Sequence, residues 1–321
     1  VPAKLATVTK QTALFENIAG HENIKNILSN NINTKNILHS YLFIGEDGIG
    51  KKMLAKEFAK TILCTSENNK PCNICKSCVE FNTNNNANFN LINEEGSAIK
   101  IEQIRNMQVK IAEKPINSNY KVYLINDAEL MTQEAQNCLL KTLEEPPEYI
   151  VIILITSNEN KVLNTIKSRC MKLYFNNLDK NSVKKVLTEK FEMEDINDSF
   201  LDAVGGSIKK ALLIKEKSSE YEQITKLFDI IDKENLVNFI NSASIIYENK
   251  DDIYNILDYI NILLDIKIRS NSNNSFKFAN CIFTVEEVKK RLRANSNYDM
   301  SIDYLLMNMW KEINGERSSR Y

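Results

Sequence analysis

The sequence is poor in the residues that interrupt regular structure and in those that build several common active sites. Its 321 residues include 8 glycines, 5 prolines, 1 tryptophan and 2 histidines. Few glycines and prolines leave room for long helices, so we expect a helix-rich protein. With His21 and His39 as the only histidines, histidine-based triads and multi-histidine metal sites are disfavoured.

The chain also lacks an excess of charge of either sign. It carries 41 Lys and Arg against 42 Asp and Glu, for a net charge of −1 and a pI near 6.3. A protein that binds nucleic acid by itself usually carries a strong basic field, which is absent here. Any contact with DNA must therefore be local or shared with partner proteins.

Long uninterrupted hydrophobic runs are missing as well. The most apolar stretch of the C-terminal half, residues 253–268, contains Asp258 and Asp265, which are costly inside a bilayer. Residues 1–11 lack the apolar core of a secretion signal. We expect a cytoplasmic protein without a membrane segment, in which the seven cysteines form no disulfide framework.

Apolar runs alternate with helical periodicity in the first half of the chain. Strands are predicted at residues 41–44, 122–125, 150–156 and 171–175. Helical patterns separate them, and one of these helices stops before Pro146 and Pro147. Strands that alternate with helices predict an α/β domain with a parallel sheet.

Strand patterns nearly vanish after residue 175, and helical periodicity takes over. We therefore predict an α/β domain over residues 12–177, a small helical lid domain over 178–217 and an all-helical domain over 218–321.

A glycine-rich segment lies between the first predicted strand and the following helix. Gly45, Gly48, Gly50 and Lys51 fit the pattern G-x-x-x-x-G-K. Glycines let backbone N–H groups converge on phosphate oxygens at a helix N-terminus, and Lys51 would reach the outer phosphates. The segment is a candidate phosphate loop, and a glycine-rich turn without a ligand is the alternative.

The next position carries a lysine where a hydrolytic loop carries Ser or Thr. That hydroxyl normally coordinates the Mg²⁺ that bridges the outer phosphates, and the ammonium of Lys52 cannot ligate a cation. The loop is therefore degenerate. Binding of ATP or ADP stays open, whereas hydrolysis should suffer.

A second defect lies after the predicted strand at 122–125, which runs into Asn126 and Asp127. A hydrolytic site needs two acids there, one for the metal and one to polarise the attacking water. Asp127 is the candidate of a degenerate acidic motif, since one acid is missing in either register. Alternatively, Asp127 and Glu129 simply begin the next helix.

Four of the seven cysteines cluster within 15 residues. Cys64, Cys72, Cys75 and Cys78 form C-x₇-C-x₂-C-x₂-C, the ligand set of a closed tetrahedral zinc site. Because sulfur fills all four positions, the metal should be structural and should staple an insertion over residues 64–78 that has few apolar residues.

Several further patterns follow one another along the chain. They are Phe15, Ile18, Gly20 and His21, residues 39–45, the four-cysteine insertion, Leu139–Pro147 (LLKTLEEPP), Thr156–Asn158 and the triplet Ser168, Arg169, Cys170. Together they resemble the bacterial clamp-loader AAA+ family, and most closely its DNA polymerase III delta-prime branch. The resemblance implies an α/β P-loop AAA+ domain with a zinc-binding insertion, then a helical lid domain and an all-α C-terminal domain.

The resemblance also implies roles for individual residues. Arg169 would be an arginine finger, acting in trans on ATP held by the neighbouring subunit. Asn158 would sit where the family senses the γ-phosphate, and Lys209 would replace the arginine of its second sensor. Residues 218–321 would join an oligomeric collar. For Arg169, an interface or helix-end salt bridge is the alternative.

The function implied is that of a largely non-hydrolysing scaffold in sliding-clamp loading during DNA replication, not of an ATPase acting alone. Its partners would be gamma/tau and delta subunits, with the sliding clamp and primed DNA contacted through the complex. Two alternatives remain. One is an active gamma/tau-like motor subunit, and the other is a stand-alone zinc-containing nucleotide-binding regulator that contacts DNA by itself.

Overall fold

The computed structural model describes residues 14–67, 70–93, 98–194, 196, 198–216, 218–270, 275–294 and 296–315. The chain divides into two compact units, Val1–Val183 and Lys184–Tyr321. The predicted division between a lid and a C-terminal domain at 217/218 falls inside the second unit. The three-domain boundaries therefore stay a prediction.

A parallel sheet carries the first unit. Among the described residues its order is β2-β3-β4-β1-β5, and every neighbouring pair is parallel. The predicted α/β architecture is confirmed. The strands are β1 (Ser40–Ile44), β2 (Phe89–Ile92), β3 (Lys121–Ile125), β4 (Ile150–Thr156) and β5 (Met171–Tyr174).

Strand β2 is the element that sequence reasoning missed. The central strands β1, β3 and β4 are buried along their whole length and therefore stand out as apolar runs. In contrast, β2 lies at the edge of the sheet, all four of its side chains are only half-buried, and it contains Asn90. An edge strand of this kind carries no continuous apolar run.

Helices cover both faces of the sheet, because neighbouring side chains of a strand point to opposite faces. Tyr41 and Phe43 of β1 belong to the core on one face, and Leu42 and Ile44 belong to the core on the other. The helices of this unit, up to the one that crosses its end, are α1 (Glu22–Asn33), α2 (Lys51–Leu63), α3 (Lys76–Asn82), α4 (Ile101–Ile111), α5 (Gln133–Glu144), α6 (Asn164–Lys167) and α7 (Lys180–Phe191).

In the described residues of the second unit, every regular element is a helix. Its core includes Ile260 and Leu264, so the apolar stretch at 253–268 packs inside a helical bundle. In the described part of the chain, no helix combines the length and the apolar character needed to cross a membrane. The helices are α8 (Asp198–Val204), α9 (Ile208–Glu216), α10 (Ser218–Ile230), α11 (Leu236–Ser242), α12 (Ser244–Glu248), α13 (Ile253–Ser270), α14 (Ser275–Arg293) and α15 (Tyr298–Asn314).

The packing of α2 against β1 yields a stability prediction. Phe58 is fully buried, and its ring lies 5.1 Å from that of Tyr41 in an edge-on arrangement. We expect Phe58→Ala to destabilise the first unit by about 3–5 kcal/mol, because it leaves a cavity. Met53→Ala on the same helix is the control, since Met53 is 49% exposed and its loss should cost less than about 0.5 kcal/mol.

The measurement is denaturant unfolding followed by hydrogen exchange of peptides from β1 and α2, because tyrosines occur in both units and their signal would not report on the first unit alone. The single tryptophan, Trp310, lies in the second unit and reports on that unit instead. Equal unfolding midpoints for the Phe58 and Met53 variants would contradict the packing described.

Candidate functional site

The candidate phosphate loop lies where the sequence predicts it, between the carboxyl end of β1 and the start of α2. Gly48 and Gly50 have φ of +80° and +100°, which residues with a side chain rarely adopt. At Gly45, a Cβ atom would lie 2.6 Å from the carbonyl oxygen of Phe175, so the chain after β5 leaves space for glycine alone. All three glycines are therefore required by the backbone itself.

Lys51 is buried inside this loop, with 5% of its surface exposed. Its amine donates hydrogen bonds to the carbonyl of Gly45 (2.7 Å) and to that of Glu46. Burial lowers the pKa of the Lys51 amine, while the nearby carboxylates of Asp47 and Glu129 oppose this effect. The ammonium is thus held by the loop that it would serve. Lys52, the next residue, is half-buried.

His21 supports the loop from behind, a role that sequence reasoning did not assign to it. Its Nε2 donates a hydrogen bond to the Ile49 carbonyl (2.8 Å), and its ring meets the edge of Phe175 at 4.8 Å. Burial lowers the pKa of the imidazole, although the bond to Ile49 works in the opposite direction. The signal available in the sequence was a histidine directly after Gly20, ahead of α1.

The acidic motif follows β3, so it lies at the carboxyl ends of the strands, as the candidate phosphate loop does. Asp127 has a φ of +51° and accepts a hydrogen bond from the Asn126 side chain (2.9 Å). It precedes a short 3-10 turn, Ala128–Leu130, which contains Glu129. Both acids thus lie at this turn, and both also act electrostatically on Lys51.

Glu129 and Ser157 form a contact that the sequence did not reveal. One carboxylate oxygen of Glu129 accepts hydrogen bonds from the backbone N–H of Ser157 (2.8 Å) and from its hydroxyl. The other oxygen is buried and has no hydrogen-bond partner among the described residues. The ends of β3 and β4 are thus joined through a carboxylate close to Lys51.

Asn158, the predicted sensor residue, is exposed and engaged locally. Its side-chain oxygen accepts from the backbone N–H of Asn160 (3.1 Å), which caps the 3-10 turn Glu159–Lys161. The neighbouring Ser157 faces the acidic motif instead. Because Asn158 is exposed and its side chain bonds to nearby backbone, its sensor role stays a prediction.

Arg169 lies just before β5, near the amino ends of the strands, whereas the candidate phosphate loop lies at their carboxyl ends. Its Nη1 donates to the Thr165 carbonyl (2.9 Å), its Nη2 lies 2.7 Å from a carboxylate oxygen of Glu144, and 35% of its side chain is exposed. The hydroxyl of Ser40, the first residue of β1, donates to the Arg169 carbonyl (2.6 Å). These contacts hold Arg169 near the amino ends of the strands.

The remaining sites lie elsewhere. Lys209, the second-sensor candidate, is exposed on α9 in the second unit. Cys138 is half-buried, while Cys170 and Cys281 are buried.

The four clustered cysteines come together beyond the end of α2. Their sulfur atoms all lie within 4.8 Å of one another, with Cys64 at 3.6 Å from Cys72 and 4.0 Å from Cys75. Four sulfurs at about 2.3 Å from a zinc ion would be about 3.8 Å apart, so this cluster fits tetrahedral zinc.

The surroundings of the cluster favour a thiolate at Cys75, whereas burial raises the pKa of the Cys64 and Cys78 thiols. Backbone N–H groups donate to three of the sulfurs at 3.3–3.4 Å, those of Cys64, Cys72 and Cys75. Burial would raise the pKa of Cys75, but bonds from Thr65 and Cys78 outweigh it and bring that pKa to about 6. The set can hold a metal such as zinc, which would supply a structural cross-link.

Polar contacts tie the cysteine module to α2. The Ser77 hydroxyl donates to the Leu63 carbonyl at the end of α2 (2.8 Å), and the Lys60 amine donates to the Asn73 side chain within the module. Metal binding should therefore stabilise the end of α2 as well as the module itself.

We expect the purified chain to contain one zinc ion, measured by plasma mass spectrometry. Cys72→Ser should reduce the zinc content at least tenfold and lower the melting temperature, because three thiolates no longer close the site. Cys138→Ser is the matched control, since Cys138 lies outside the cluster, and it should keep its zinc. Full zinc content in the Cys72 variant would exclude the proposed ligand set.

The buried imidazole predicts a pH effect on stability. Since burial lowers the folded-state pKa of His21 below 6.5, the unfolded state takes up the proton first as the pH falls. The stabilisation is complete above about pH 6.5 and declines below it. In proton NMR, His21 should titrate below pH 6.5, with His39→Gln providing the assignment.

His21→Gln, which can still donate to Ile49, should weaken the loss of stability between pH 7 and pH 5. A titration midpoint of His21 above pH 6.5 would refute the burial argument.

Comparison with known proteins places this geometry in a family. Residues 20–179 match a family model described as DNA polymerase III, delta subunit. The Bacillus subtilis DNA polymerase III subunit delta' is 26% identical over 88% of this chain and 94% of its own length. The Mycoplasma pneumoniae subunit gamma/tau is 31% identical over 70% of this chain, which spans about a third (34%) of that relative.

A solved structure supports the fold. A DNA polymerase III gamma subunit-related protein of Thermotoga maritima aligns with a TM-score of 0.53 and 20% identity, over 89% of this chain and 99% of that one. These similarities are consistent with the parallel sheet, the glycine loop after β1 and the cysteine insertion. The chain belongs to the bacterial clamp-loader AAA+ family of DNA polymerase III subunits.

Proposed function

We propose that this chain is a delta-prime-type subunit of a DNA polymerase III clamp loader, which donates Arg169 to ATP bound by a neighbouring subunit. In this role it is a scaffold that hydrolyses little ATP by itself. The observation that carries the proposal is the location of Arg169 near the amino ends of the strands, whereas the chain's own candidate phosphate loop lies at their carboxyl ends.

The length of β1 separates the two sites. Ser40 at its amino end binds the Arg169 backbone, and Gly45 directly follows its carboxyl end. Five strand residues extend about 13 Å between their end Cα atoms. Contacts with Thr165 and Glu144 also hold the Arg169 side chain near the amino ends of the strands. A guanidinium placed there cannot serve the chain's own loop, but it is exposed enough to meet a nucleotide across an interface.

The chain's own nucleotide site supports a non-hydrolysing role. Lys52 replaces the Mg²⁺-coordinating hydroxyl, and Asn126 replaces one of the two acids. The Asn126 amide also donates to Asp127 and so occupies a carboxylate oxygen that a metal site would use. Binding of ATP or ADP remains compatible with the glycine loop and Lys51, whereas turnover lacks its metal ligands.

The similarity to a delta-prime protein also favours this branch, because it extends over 88% of the chain, against 70% for the gamma/tau relative. By this proposal the partners are gamma/tau and delta subunits, and the complex brings the sliding clamp and primed DNA. Residues 178–217 would form the lid, residues 218–321 would join the collar, and zinc would be structural.

An active gamma/tau-like motor is the second candidate, favoured by the 31% identity to a gamma/tau subunit and by the intact G-x-x-x-x-G-K pattern. The two functions differ in the turnover of Mg-ATP by the isolated chain. A motor would turn over ATP, and Lys52→Thr would change its rate little.

The arginine finger predicts a large effect in the assembled loader. With cognate gamma/tau and delta subunits, Arg169→Ala should lower the DNA- and clamp-stimulated ATPase rate at least about tenfold, because an arginine finger stabilises charge on the transferred phosphoryl group. Arg105→Ala on α4 is the control, since Arg105 is also an exposed arginine of the first unit.

Assembly of each variant is checked by size-exclusion chromatography at matched concentrations. An intact complex with unchanged ATPase in the Arg169 variant would reduce this arginine to a structural residue.

A further inference from the structure

We propose that Glu144 positions Arg169 for its action in the neighbouring subunit, an inference that rests on the proposed function above. The two side chains form an ion pair with 2.7 Å between Nη2 of Arg169 and Oε1 of Glu144. The second terminal nitrogen, Nη1, donates to the Thr165 carbonyl at 2.9 Å. Both ends of the guanidinium group are therefore held by the chain's own groups.

These two anchors come from different elements. Glu144 is the last residue of α5, and Thr165 lies in α6. A long arginine side chain has many rotamers, and fixing it at the moment of reaction costs conformational entropy. Anchors from two packed helices restrict the guanidinium beforehand, which is how a positioned group gains its effect on a rate.

The pair restrains the arginine without removing it from reach. Half of the Glu144 side chain and 35% of the Arg169 side chain are exposed. A guanidinium carries five N–H donors, of which the Thr165 carbonyl accepts one and the Glu144 carboxylate lies beside another. The other donors stay available for the oxygens of a phosphate group.

The adjacent glutamate provides a matched comparison. Glu145 directly follows α5 and is also exposed, but its backbone has left the helix, with φ of −126° and ψ of 64°. Among the ion pairs of the described residues, Glu144 is bound to Arg169, whereas Glu145 belongs to none of them. The two positions carry the same side chain and differ in contact with the arginine.

The test measures steady-state ATPase of the reconstituted loader, with DNA and clamp present, for wild type, Glu144→Gln and Glu145→Gln. We expect Glu144→Gln to lower kcat about threefold to fivefold, the effect of losing a half-exposed ion pair, with little change in KM for ATP. Glu145→Gln should match the wild type. Glu144→Asp keeps the charge and should lie closer to wild type than Glu144→Gln.

A double-mutant cycle separates positioning from a structural role. If Glu144 acts through the arginine, Glu144→Gln should cause no further loss in an Arg169→Ala background. An equal loss in both backgrounds, a higher kcat in Glu144→Gln, or equal effects at positions 144 and 145 would overturn the inference.

The same series distinguishes this inference from the proposed function. If Arg169→Ala leaves the ATPase unchanged in an intact complex, the arginine-finger function itself fails. If Arg169→Ala abolishes stimulation while Glu144→Gln behaves as wild type, only the positioning role fails. Should Glu144→Gln not assemble, the comparison of Glu144→Ala with Glu145→Ala decides, and equal kcat values in that pair would refute the inference.

Discussion

The parallel pairing of β1 with β4 on one side and β5 on the other is the constraint on which the rest of the first unit depends. A sheet of parallel strands has two different ends, because all carboxyl ends of the strands lie at one end and all amino ends lie at the other. The phosphate loop and the acidic motif follow the carboxyl ends of β1 and β3. Arg169 is bound at the amino end of β1. One sheet thus separates the site the chain would use itself from the site it would offer to a neighbour.

Close packing around Gly45 supports this arrangement. The backbone after β5 passes so near that a side chain at Gly45 would collide with Phe175, and His21 contacts both Phe175 and the Ile49 carbonyl. The loop is therefore held by the residue that follows β5 and by the segment ahead of α1. Its shape is maintained by buried contacts of the chain, although Lys52 stands where a hydrolytic loop carries Ser or Thr and Asn126 stands where a hydrolytic site carries an acid.

The sequence predicted the fully buried strands and also the partly exposed strand β5, whereas it missed the half-buried edge strand β2. The buried strands β1, β3 and β4 were recognised as apolar runs, whereas the half-buried edge strand β2 was not. The cysteine cluster was also predictable, because four ligands within 15 residues need only a local turn to meet. Glu129 and Ser157, in contrast, are 28 residues apart, and no local pattern relates them.

The sequence by itself determined which candidate groups this chain carries: a glycine-rich loop followed by two lysines, an Asn-Asp pair after a strand, four clustered thiols and an arginine before the last strand. Each is a short segment whose residue types are sufficient to recognise it. Only the tertiary structure decided their partners, because Glu144 and Arg169, or His21 and Ile49, meet through packing of distant elements. The end of the sheet at which each group lies likewise follows from parallel pairing between strands that are far apart in the sequence.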